Sequence, residues 1–253
     1  MADIQPRRVA IITGAGGGLG ADVARLLARR GIDLVLVDVR RDALEAIASE
    51  LDTEGGAVEV IPVDLSVSAE CEGLVPEVLA RLGRVDILVN AAAVLARKEL
   101  DQVTPAYMSH IFQTNTWPVF LLSRAVMADM ETRGWGRIVN VTSTGVYEGG
   151  FTMTSAIYEA SKGAVAVLTK MFAKHGASRG ILVNSVCPGG MRTKMLLEET
   201  PPELVERTER DVIPLGRLAE PVEVARMIAW LVSDEASYAT GAEFDITGGL
   251  ALH

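Results

Sequence analysis

The chain has 253 residues, of which 49% are apolar and 23% are charged. This composition allows a large buried core and excludes a disordered or fibrous protein. A formal net charge of −9 argues against nucleic acid or an anionic membrane surface as the main partner, because both attract cationic patches. The two cysteines, Cys71 and Cys187, are too few for a disulfide framework, and no apolar run approaches the length of a membrane span. We therefore expect a cytoplasmic protein that keeps its thiols reduced.

The N-terminal segment has the pattern of a dinucleotide-binding turn. An apolar run at 9–12 predicts a buried strand, a glycine-rich turn and a helical pattern follow it, and a second apolar run at 34–37 leads into Asp38. Glycines let the backbone approach a pyrophosphate, and the N–H groups at a helix N-terminus bind its charge. A carboxylate at the end of the next strand can accept hydrogen bonds from ribose hydroxyls. The residues predicted to contact the cofactor here are Gly14, Gly16, Gly17, Gly18, Leu19, Gly20, Asp38 and Val39.

The alternatives for this segment are a flexible glycine turn and, for Asp38, an ordinary solvated carboxylate. A nucleotide phosphate loop is excluded because no Gly-Lys-Ser/Thr follows the glycines. Asp38 is expected to bind both hydroxyls of the adenosine ribose and to repel a 2′-phosphate, so the sequence predicts NAD(H) rather than NADP(H). Val39 offers a phosphate no positive charge, whereas Arg40 or Arg41 could turn back toward one.

Apolar runs and helical patterns alternate along the rest of the chain. Further strands are predicted at 58–61, 85–89, 137–141, 181–186 and 244–246. Further helices are predicted at about 42–51, 68–82, 105–130, 156–177 and 221–232, with Pro118 as a possible kink. This alternation indicates an α/β fold with a doubly wound, mainly parallel sheet of seven strands and helices on both faces. We expect a single domain, residues 1–253, with a mobile helical insertion at about 191–211 on the substrate side.

The candidate ligand-binding residues all follow predicted strands. The glycine turn and Asp38 come after the first two strands, and Asp64, Asn90, Ser143 and Pro188 come after later ones. Parallel strands bring their carboxyl ends to one edge of the sheet, and ligands of such folds bind beyond that edge. We therefore expect one site that collects these residues.

Tyr158 and Lys162 lie four residues apart near the start of the predicted helix 156–177, so they share one helical face. A nearby ammonium group favours the phenolate and lowers the phenol pKa, and such a phenol can exchange a proton with an alcohol or a ketone. The alternative is an ordinary surface pair. The other tyrosines, Tyr107, Tyr147 and Tyr238, have no lysine at the same spacing, which favours the catalytic interpretation of Tyr158.

Two further polar residues are candidates for the chemistry. Ser143 could donate a hydrogen bond to the reacting oxygen and polarise it, although Thr142 is a rival for this role and a strand-end turn is the structural alternative. Asn115 is polar within an apolar helical pattern, where the alternative role is hydrogen bonding to the backbone at a kink.

The spacing of Gly14, Gly18 and Gly20, together with Tyr158-x-x-x-Lys162, resembles that of the short-chain dehydrogenase/reductase family. The resemblance extends over the whole chain. It implies a Rossmann-type fold and an oxidoreductase that uses a nicotinamide cofactor. It also implies that Tyr158 is the acid/base, while Lys162 lowers the pKa of Tyr158 and holds the nicotinamide-ribose hydroxyls.

The same resemblance implies roles for other residues. Ser143 would orient the substrate oxygen, Asn115 would complete a proton relay through water and the lysine, and Asp64 and Leu65 would hold the adenine. A P-G-x-x-x-T segment would meet the nicotinamide carboxamide. The remaining residues expected to contact the cofactor are Asn90, Ala91, Ala92, Tyr158, Lys162, Pro188, Gly189, Met191 and Thr193.

The sequence departs from the family pattern in two places. Asn90-Ala91-Ala92-Ala93 replaces the usual N-N-A-G, so the glycine is lost. The gap between Ser143 and Tyr158 is also a little longer than usual, so the loop between them is expected to be reshaped.

The function that these features favour is interconversion of a secondary alcohol and a ketone by an NAD(H)-dependent enzyme. One alternative is a non-catalytic NAD(H)-binding regulatory module, which would have no use for the serine, tyrosine and lysine set. A second is an NADP(H)-linked 3-oxoacyl-type reductase. A third keeps the fold and changes the reaction, as in sugar-nucleotide epimerases or dehydratases, but those relatives carry a longer C-terminal substrate domain. A metal site is not expected, because His110, His175 and His253 are scattered without a second ligand at a suitable spacing.

The predicted substrate pocket is mostly apolar and therefore favours a hydrophobic alcohol or ketone over a small polyol. Arg192 and Lys194 could hold an acidic group at its mouth, or they could simply be exposed to solvent. The residues expected to line the pocket are Val94, Leu95, Val146, Phe151, Met153, Met191 and Met195.

A homotetramer is implied by the family resemblance, with the helices predicted at 105–130 and 156–178 packing against their copies. The second of these helices carries apolar residues on more than one face, and a face that is not covered by the sheet needs another cover. These residues are Val165, Val167, Leu168, Met171 and Phe172.

Overall fold

The computed structural model describes residues 7–51, 56–149 and 153–251. Seven strands form one sheet: β1 Val9–Thr13, β2 Asp33–Asp38, β3 Val58–Pro62, β4 Ile87–Asn90, β5 Gly136–Val141, β6 Ile181–Pro188 and β7 Glu243–Ile246. Their order in the sheet is β3-β2-β1-β4-β5-β6-β7, and every neighbouring pair is parallel. The predicted α/β class with a doubly wound parallel sheet is confirmed.

Helices cover both faces of the sheet because successive strand side chains point to opposite sides. The helices are α1 Gly18–Ala28, α2 Arg41–Glu50, α3 Ser68–Leu82, α4 Pro105–Asn115, α5 Trp117–Arg133, α6 Gly145–Glu148, α7 Ala156–Gly176, α8 Lys194–Glu199, α9 Pro202–Asp211 and α10 Pro221–Leu231. In β1, Ala10 and Ile12 pack in the core with α1, α2 and α10, whereas Val9 and Ile11 pack in the core with α3, α5 and α7.

The single helix predicted at 105–130 is instead two helices, α4 and α5, which meet at Thr116. Pro118 lies in the first turn of α5, where its missing N–H needs no intrahelical partner. In a continuous helix the N–H of residue 118 would donate to the Thr114 carbonyl, but proline has no N–H. The first helix therefore ends before the proline and a second one begins, and the chain does not form one bent helix. The Thr116 hydroxyl donates to the Ser161 carbonyl at 3.1 Å and attaches the break to α7.

The insertion predicted at about 191–211 contains the short helices α8 and α9. Thr193 caps α8, because its hydroxyl accepts a hydrogen bond from the Leu196 N–H at 3.3 Å. Val205 of α9 is buried with Ile213 and Leu218 in a small apolar cluster of its own. This cluster holds the segment over the carboxyl edge of the sheet.

The strand register aligns the carboxyl ends of the central strands. Thr13, the last residue of β1, pairs with Val37 on β2 and with Asn90 on β4. The helix that follows β1, α1, packs on one face of the sheet, whereas α5, which follows β4 in the chain, packs on the other. This reversal opens a crevice between β1 and β4. Asp38 pairs with Pro62 of β3 and extends the same edge outward.

At the opposite edge of the sheet, Asp86 is a buried carboxylate that joins three parts of the chain. It accepts a hydrogen bond from the Val9 N–H at 2.9 Å, at the start of β1. Arg84 donates to both of its oxygens at 2.7 Å, and Arg133 at the end of α5 lies 3.4 Å from it. Arg133 in turn pairs with Asp129 at 2.7 Å. This network fixes the first strand and α5 to the start of β4.

We predict that Asp86→Ala lowers the free energy of unfolding by about 3 kcal/mol. The substitution leaves the Val9 N–H without its acceptor and two arginines without their shared carboxylate. The effect lies at the lower end of the range for a broken buried pair, because the side chains of Arg84 and Arg133 remain 22% and 24% exposed. Urea unfolding at fixed protein concentration measures the change.

The matched control is Glu45→Ala, which removes an exposed ion pair with Arg41. Exposed pairs of this kind contribute roughly 0.2–1 kcal/mol. Equal losses of stability in the two variants would contradict the role given to Asp86.

Candidate active site

The glycine turn between β1 and α1 needs small residues because other backbone segments lie against it. Gly14 has a φ of +69°, and a Cβ on it would lie 2.9 Å from the Ala92 Cα. A Cβ on Gly20 would overlap the carbonyl of Gly14 itself. The N-terminal N–H groups of α1, which starts at Gly18, have no acidic side chain in their first turn. The turn therefore fits a pyrophosphate, because its backbone is accessible and the helix end attracts negative charge.

Thr13 attaches the glycine turn to the loop after β4. Its hydroxyl accepts hydrogen bonds from the N–H groups of Ala91 and Ala92, both at 3.1 Å, and donates to the Val89 carbonyl at 3.4 Å. The predicted residues Ala91 and Ala92 are thereby placed beside Gly14. Thr13 is not among the residues selected from the sequence, because its role depends on a contact with a distant part of the chain.

Asp38 and Arg40 both lie against the glycine turn. The Asp38 carboxylate accepts hydrogen bonds from the Gly16 N–H at 3.2 Å and from the Arg40 N–H at 3.1 Å. The Arg40 guanidinium lies 3.4 Å from that carboxylate and also donates to the Gly16 carbonyl at 3.2 Å. Arg41 instead pairs with Glu45 at 3.4 Å, along the exposed side of α2. The corner between the glycine turn and the end of β2 thus contains the acidic side chain of Asp38 and the basic side chain of Arg40.

Asp64 and Leu65 follow β3 and lie next to this corner, since the neighbouring Val63 N–H donates to the Asp38 carbonyl at 3.1 Å. The Asp64 side chain accepts hydrogen bonds from the Ser66 hydroxyl at 2.7 Å and the Ser66 N–H at 2.9 Å. These bonds hold the pKa of the Asp64 carboxyl below its usual value. Leu65 is buried beneath it.

The side chain of Asn90 is bound inside the protein. It donates to the Asn140 side chain at 2.8 Å, and Asn140 donates to the Thr169 hydroxyl at 2.9 Å. This chain of hydrogen bonds runs from β4 through β5 into α7. Asn90 therefore fixes the strand end by its side chain.

Tyr158 and Lys162 lie on the first turns of α7, below the carboxyl edge of the sheet. Lys162 is buried, and its Nζ donates to the Val141 carbonyl at 2.8 Å and lies 5.8 Å from the centre of the Tyr158 ring. Burial lowers the pKa of Lys162 to about 8, and the Glu159 carboxyl acts in the opposite direction. The lysine is thus positioned by β5 and directed toward the tyrosine.

The pKa of Tyr158 is raised, which is opposite to the predicted direction. Burial is the main cause, the Glu159 carboxyl adds to it, and Arg97 opposes it. The phenolate would lose its solvation in this enclosed position. Tyr158 therefore holds its proton at neutral pH.

Ser143 and Tyr158 line a cavity of about 130 Å³ beyond the ends of β5 and β6. The Ser143 hydroxyl accepts a hydrogen bond from the Gly145 N–H at 3.3 Å. Its rival Thr142 is hydrogen-bonded to the Val186 carbonyl at 3.1 Å, and also contacts Glu243. The predicted residues that the structure brings to this cavity are Leu95, Ser143, Tyr158, Pro188, Gly189, Met191, Thr193 and Met195.

Asn115 is buried at the end of α4 and holds the loop after β4. Its side chain accepts a hydrogen bond from the Val94 N–H at 2.8 Å and donates to the Val94 carbonyl at 3.0 Å. It also donates to the Ser161 hydroxyl at 3.2 Å, and that hydroxyl donates to the Tyr158 carbonyl at 2.6 Å. The alternative considered for Asn115 was hydrogen bonding to the backbone at a kink. Its side chain does bond the backbone of Val94, and it lies at the break between α4 and α5.

The structure adds Glu159, which sequence analysis did not select. Its carboxyl lies over Gly145, where a Cβ would overlap it, and its Oε2 is buried without a hydrogen-bond partner among the described residues. Burial raises the pKa of Glu159, whereas the Ser143 hydroxyl, Lys162 and Arg97 lower it. The signal in the sequence that could have pointed to Glu159 is its position between Tyr158 and Lys162 in the motif.

Arg97, also not selected, is the basic residue on the cavity wall. It donates to the hydroxyls of Thr154 at 3.5 Å and Thr200 at 3.4 Å, which lie far from it in sequence. No local pattern reveals that these segments meet.

Several pocket predictions need correction. Val146 and Met153 lie outside the cavity lining, and Met153 is 59% exposed. Arg192 is paired with Glu209 and lies 3.4 Å from Glu220, so two carboxylates of the protein compensate its charge.

Two further predicted residues, Val94 and Lys194, also lie outside the cavity lining. Lys194 is 77% exposed and lies 3.6 Å from Glu198. Val94 is held by Asn115 behind the cavity. Phe151 lies outside the described residues.

Within the described ranges, no helix combines the length and apolarity needed to cross a bilayer. Among the same residues, no group of three or more histidine, cysteine, aspartate or glutamate side chains is arranged to hold a metal ion.

Comparisons with known proteins agree with this architecture. The family model described as enoyl-(acyl carrier protein) reductase matches residues 14–251. Acetoacetyl-CoA reductase of Allochromatium vinosum is 33% identical over 251 residues, covering 97% of this chain and 99% of the relative. A crystal structure of an actinorhodin polyketide ketoreductase variant with NADPH has a TM-score of 0.89 and 32% identity, covering 98% of both chains.

A second solved structure, 7α-hydroxysteroid dehydrogenase complexed with NADH and 7-oxo glycochenodeoxycholic acid, has a TM-score of 0.89 and 30% identity. It covers 96% of this chain and 94% of that protein. The similarities to these proteins extend over nearly the full length of this chain, in keeping with its glycine turn and parallel sheet. The chain belongs to the short-chain dehydrogenase/reductase family of oxidoreductases.

Proposed function

We propose that this protein interconverts a secondary alcohol and a ketone with NAD(H). The observation that carries the proposal is the meeting of Ser143 and Tyr158 at one cavity, next to the glycine turn, with the Nζ of the buried Lys162 lying 5.8 Å from the centre of the Tyr158 ring. Thr193 joins the two regions, because its methyl group lies 3.4 Å from a Cβ placed on Gly18. A non-catalytic nucleotide sensor would have no need for this set of residues.

The residues present fit a nicotinamide dinucleotide. The glycine turn and the start of α1 would hold the pyrophosphate, Asp38 the adenosine ribose, and Asp64 and Leu65 the adenine. Lys162 would hold the other ribose, and the segment from Pro188 to Thr193 would meet the carboxamide. When bound, the nicotinamide ring supplies or accepts the hydride.

The protein's own part in the reaction is proton transfer and orientation. Tyr158 keeps its proton at neutral pH, so it donates that proton to the substrate oxygen when a ketone is reduced. Ser143 donates a hydrogen bond to the same oxygen and stabilises its developing charge. Lys162 places its ammonium group beside the Tyr158 ring, and Asn115 holds the loop after β4 through its hydrogen bonds to Val94.

An NADP(H)-linked 3-oxoacyl-type reductase is the second candidate, and one observation favours it. Arg40 lies against the glycine turn, where it could accompany a 2′-phosphate. The relatives named as acetoacetyl-CoA reductase and 3-oxoacyl-[acyl-carrier-protein] reductase agree with a 3-oxoacyl substrate. The solved neighbours contain NADPH in one case and NADH in the other.

The substrate that we propose is largely apolar near the reacting carbon, because Leu95, Met191, Met195 and Leu196 line the cavity. Arg97 supplies a positive charge at the same wall. An acidic group a short distance from the ketone would contact it. This assignment replaces Arg192 and Lys194 with a residue that faces the cavity.

We predict that Tyr158→Phe lowers ketone reduction by about 100-fold or more, because the proton donor is removed. Nucleotide binding should persist, since the glycine turn is unchanged. Turnover with a panel of apolar and sugar-like ketones, each with and without a carboxylate, measures the effect and the substrate preference together.

Tyr238→Phe is the matched control, because Tyr238 is fully exposed and should leave turnover unchanged. Nucleotide binding without turnover of any ketone or alcohol would favour the regulatory module. A preference for the uncharged sugar-like compound would contradict the apolar pocket.

Cofactor preference is tested with Asp38→Ser. We predict that the wild-type protein uses NADH more efficiently than NADPH and that the variant shifts the ratio toward NADPH by roughly tenfold, equivalent to about 1.4 kcal/mol. Arg40→Ala should shift it the other way. Ratios of kcat/KM for the two cofactors decide the question, and an NADPH preference in the wild-type protein would refute the assignment.

We also propose a homotetramer in which α5 and α7 pack against their copies. Val165 of α7 is buried, whereas Val167 and Met171 on another face of α7 are 57% and 63% exposed. Trp117 at the start of α5 is 51% exposed. An exposed apolar stripe of this kind favours association.

We predict that Met171→Glu dissociates the assembly, because it places a charge on the stripe. Sedimentation at micromolar concentration measures the mass of each form. A wild-type monomer would contradict the proposal. Arg207→Glu, an exposed substitution on α9 away from the stripe, serves as a control for added negative charge.

A further inference from the structure

We propose that Glu159 is a positioning residue that sets the direction of the Ser143 hydroxyl. As a neutral acid it donates a hydrogen bond to Ser143 Oγ and leaves the serine proton for the substrate oxygen. As a carboxylate it accepts that proton and withdraws it from the substrate. The inference rests on the proposed reduction of a ketone and adds a residue to it.

The geometry joins Glu159 and Ser143 through one loop residue. The Gly145 N–H donates to Ser143 Oγ at 3.3 Å. The Glu159 carboxyl lies directly over the same glycine, at the place where a Cβ would be. Ser143 and Glu159 also line the same cavity as Tyr158. A glycine at position 145 is therefore needed for the carboxyl to lie beside the serine.

The hydrogen-bonding capacity of a serine hydroxyl is one donor and two acceptor positions. Gly145 uses one acceptor position of Ser143. A protonated Glu159 uses the second, and the serine proton is then directed to the substrate. An ionised carboxylate has no proton to give, so it competes with the substrate for the serine proton.

The surroundings of Glu159 favour the neutral acid. Its Oε2 is buried without a partner among the described residues, and a charged oxygen in that position would lose its hydration without compensation. Burial is the main cause of its raised pKa. The charged and titratable groups that face it are Lys162 and Tyr158 on α7 and Arg97 from the β4 loop, and Cys187 of β6 lies behind the tyrosine.

The sign of the pH dependence follows from the active form being neutral. Activity that depends on protonated Glu159 is present below its pKa and is lost as the pH rises through it. A second loss follows at higher pH, when Tyr158 gives up its proton. The wild-type profile of kcat for ketone reduction should therefore fall in two steps.

Glu159→Gln tests this directly, because a glutamine amide donates to Ser143 at every pH. The lower step should disappear from its profile, while the higher step remains. Glu203→Gln, an exposed substitution on α9, should keep both steps. Glu159→Ala should lower kcat by about tenfold relative to Glu159→Gln, since alanine has no donor.

In a Ser143→Ala background, Glu159→Gln should have no further effect on the pH profile. A lower step that persists in Glu159→Gln, or a Glu159 effect that survives the removal of Ser143, would overturn the proposal.

A measurement without turnover separates this proposal from the proposed reaction. The Glu159 carboxyl carbon can be followed by NMR titration of protein labelled with ¹³C-glutamate, and Glu159→Gln assigns the signal. We expect a pKa above that of ordinary glutamate. We also expect a further rise in Ser143→Ala, because the serine hydrogen bond to the charged carboxylate is stronger than the one to the neutral acid, and its loss costs the charged form more. An unchanged pKa in Ser143→Ala would refute the coupling, whether or not any ketone is reduced.

Discussion

The close approach of the glycine turn to the end of β4 is the constraint on which the site depends. Gly14 lies against Ala92, and the Thr13 hydroxyl binds the backbone of both residues that follow Asn90. These contacts fix the crevice between β1 and β4, where the order of the sheet reverses. Small residues are required on both sides of the contact. The replacement of the family's usual glycine at position 93 by alanine does not disturb it, because the contact is made one residue earlier.

A second constraint is the burial of ionisable groups under the cavity. Lys162 is held by the Val141 carbonyl, and Tyr158 and Glu159 lie beside it on the same helix. Removal of water raises the pKa of the tyrosine and the glutamate and lowers that of the lysine. Each group is thus shifted toward its neutral form. A neutral phenol is the form that would donate the proton in the proposed reduction of a ketone.

Specificity depends on parts of the chain that are less regular. The cavity wall combines the loop after β4, the turn before α7 and the helix α8. Arg97 reaches Thr154 and Thr200 from the first of these segments and brings all three together. In a family where the sheet and the glycine turn are shared, such loops decide which substrate fits, because the scaffold below them stays the same.

The amino-acid sequence by itself determined the α/β class, the strands, the glycine turn and the pairing of Tyr158 with Lys162. These features are local: strand and helix periods, glycine positions and a four-residue spacing can all be read within short windows. The carboxyl-edge location of the site also followed from the sequence, because parallel strands align their ends. The break at Thr116 was partly predictable from Pro118.

The tertiary structure alone decided which of these residues meet, and in what electrostatic surroundings. The Asn90–Asn140–Thr169 chain and the contacts of Arg97 join residues that are far apart in sequence, so no local pattern contains them. The raised pKa of Tyr158 was also not predictable, since it follows from burial and not from the spacing of the lysine. Glu159 was visible in the motif, but its importance depends on Gly145, which only folding places beneath its carboxyl.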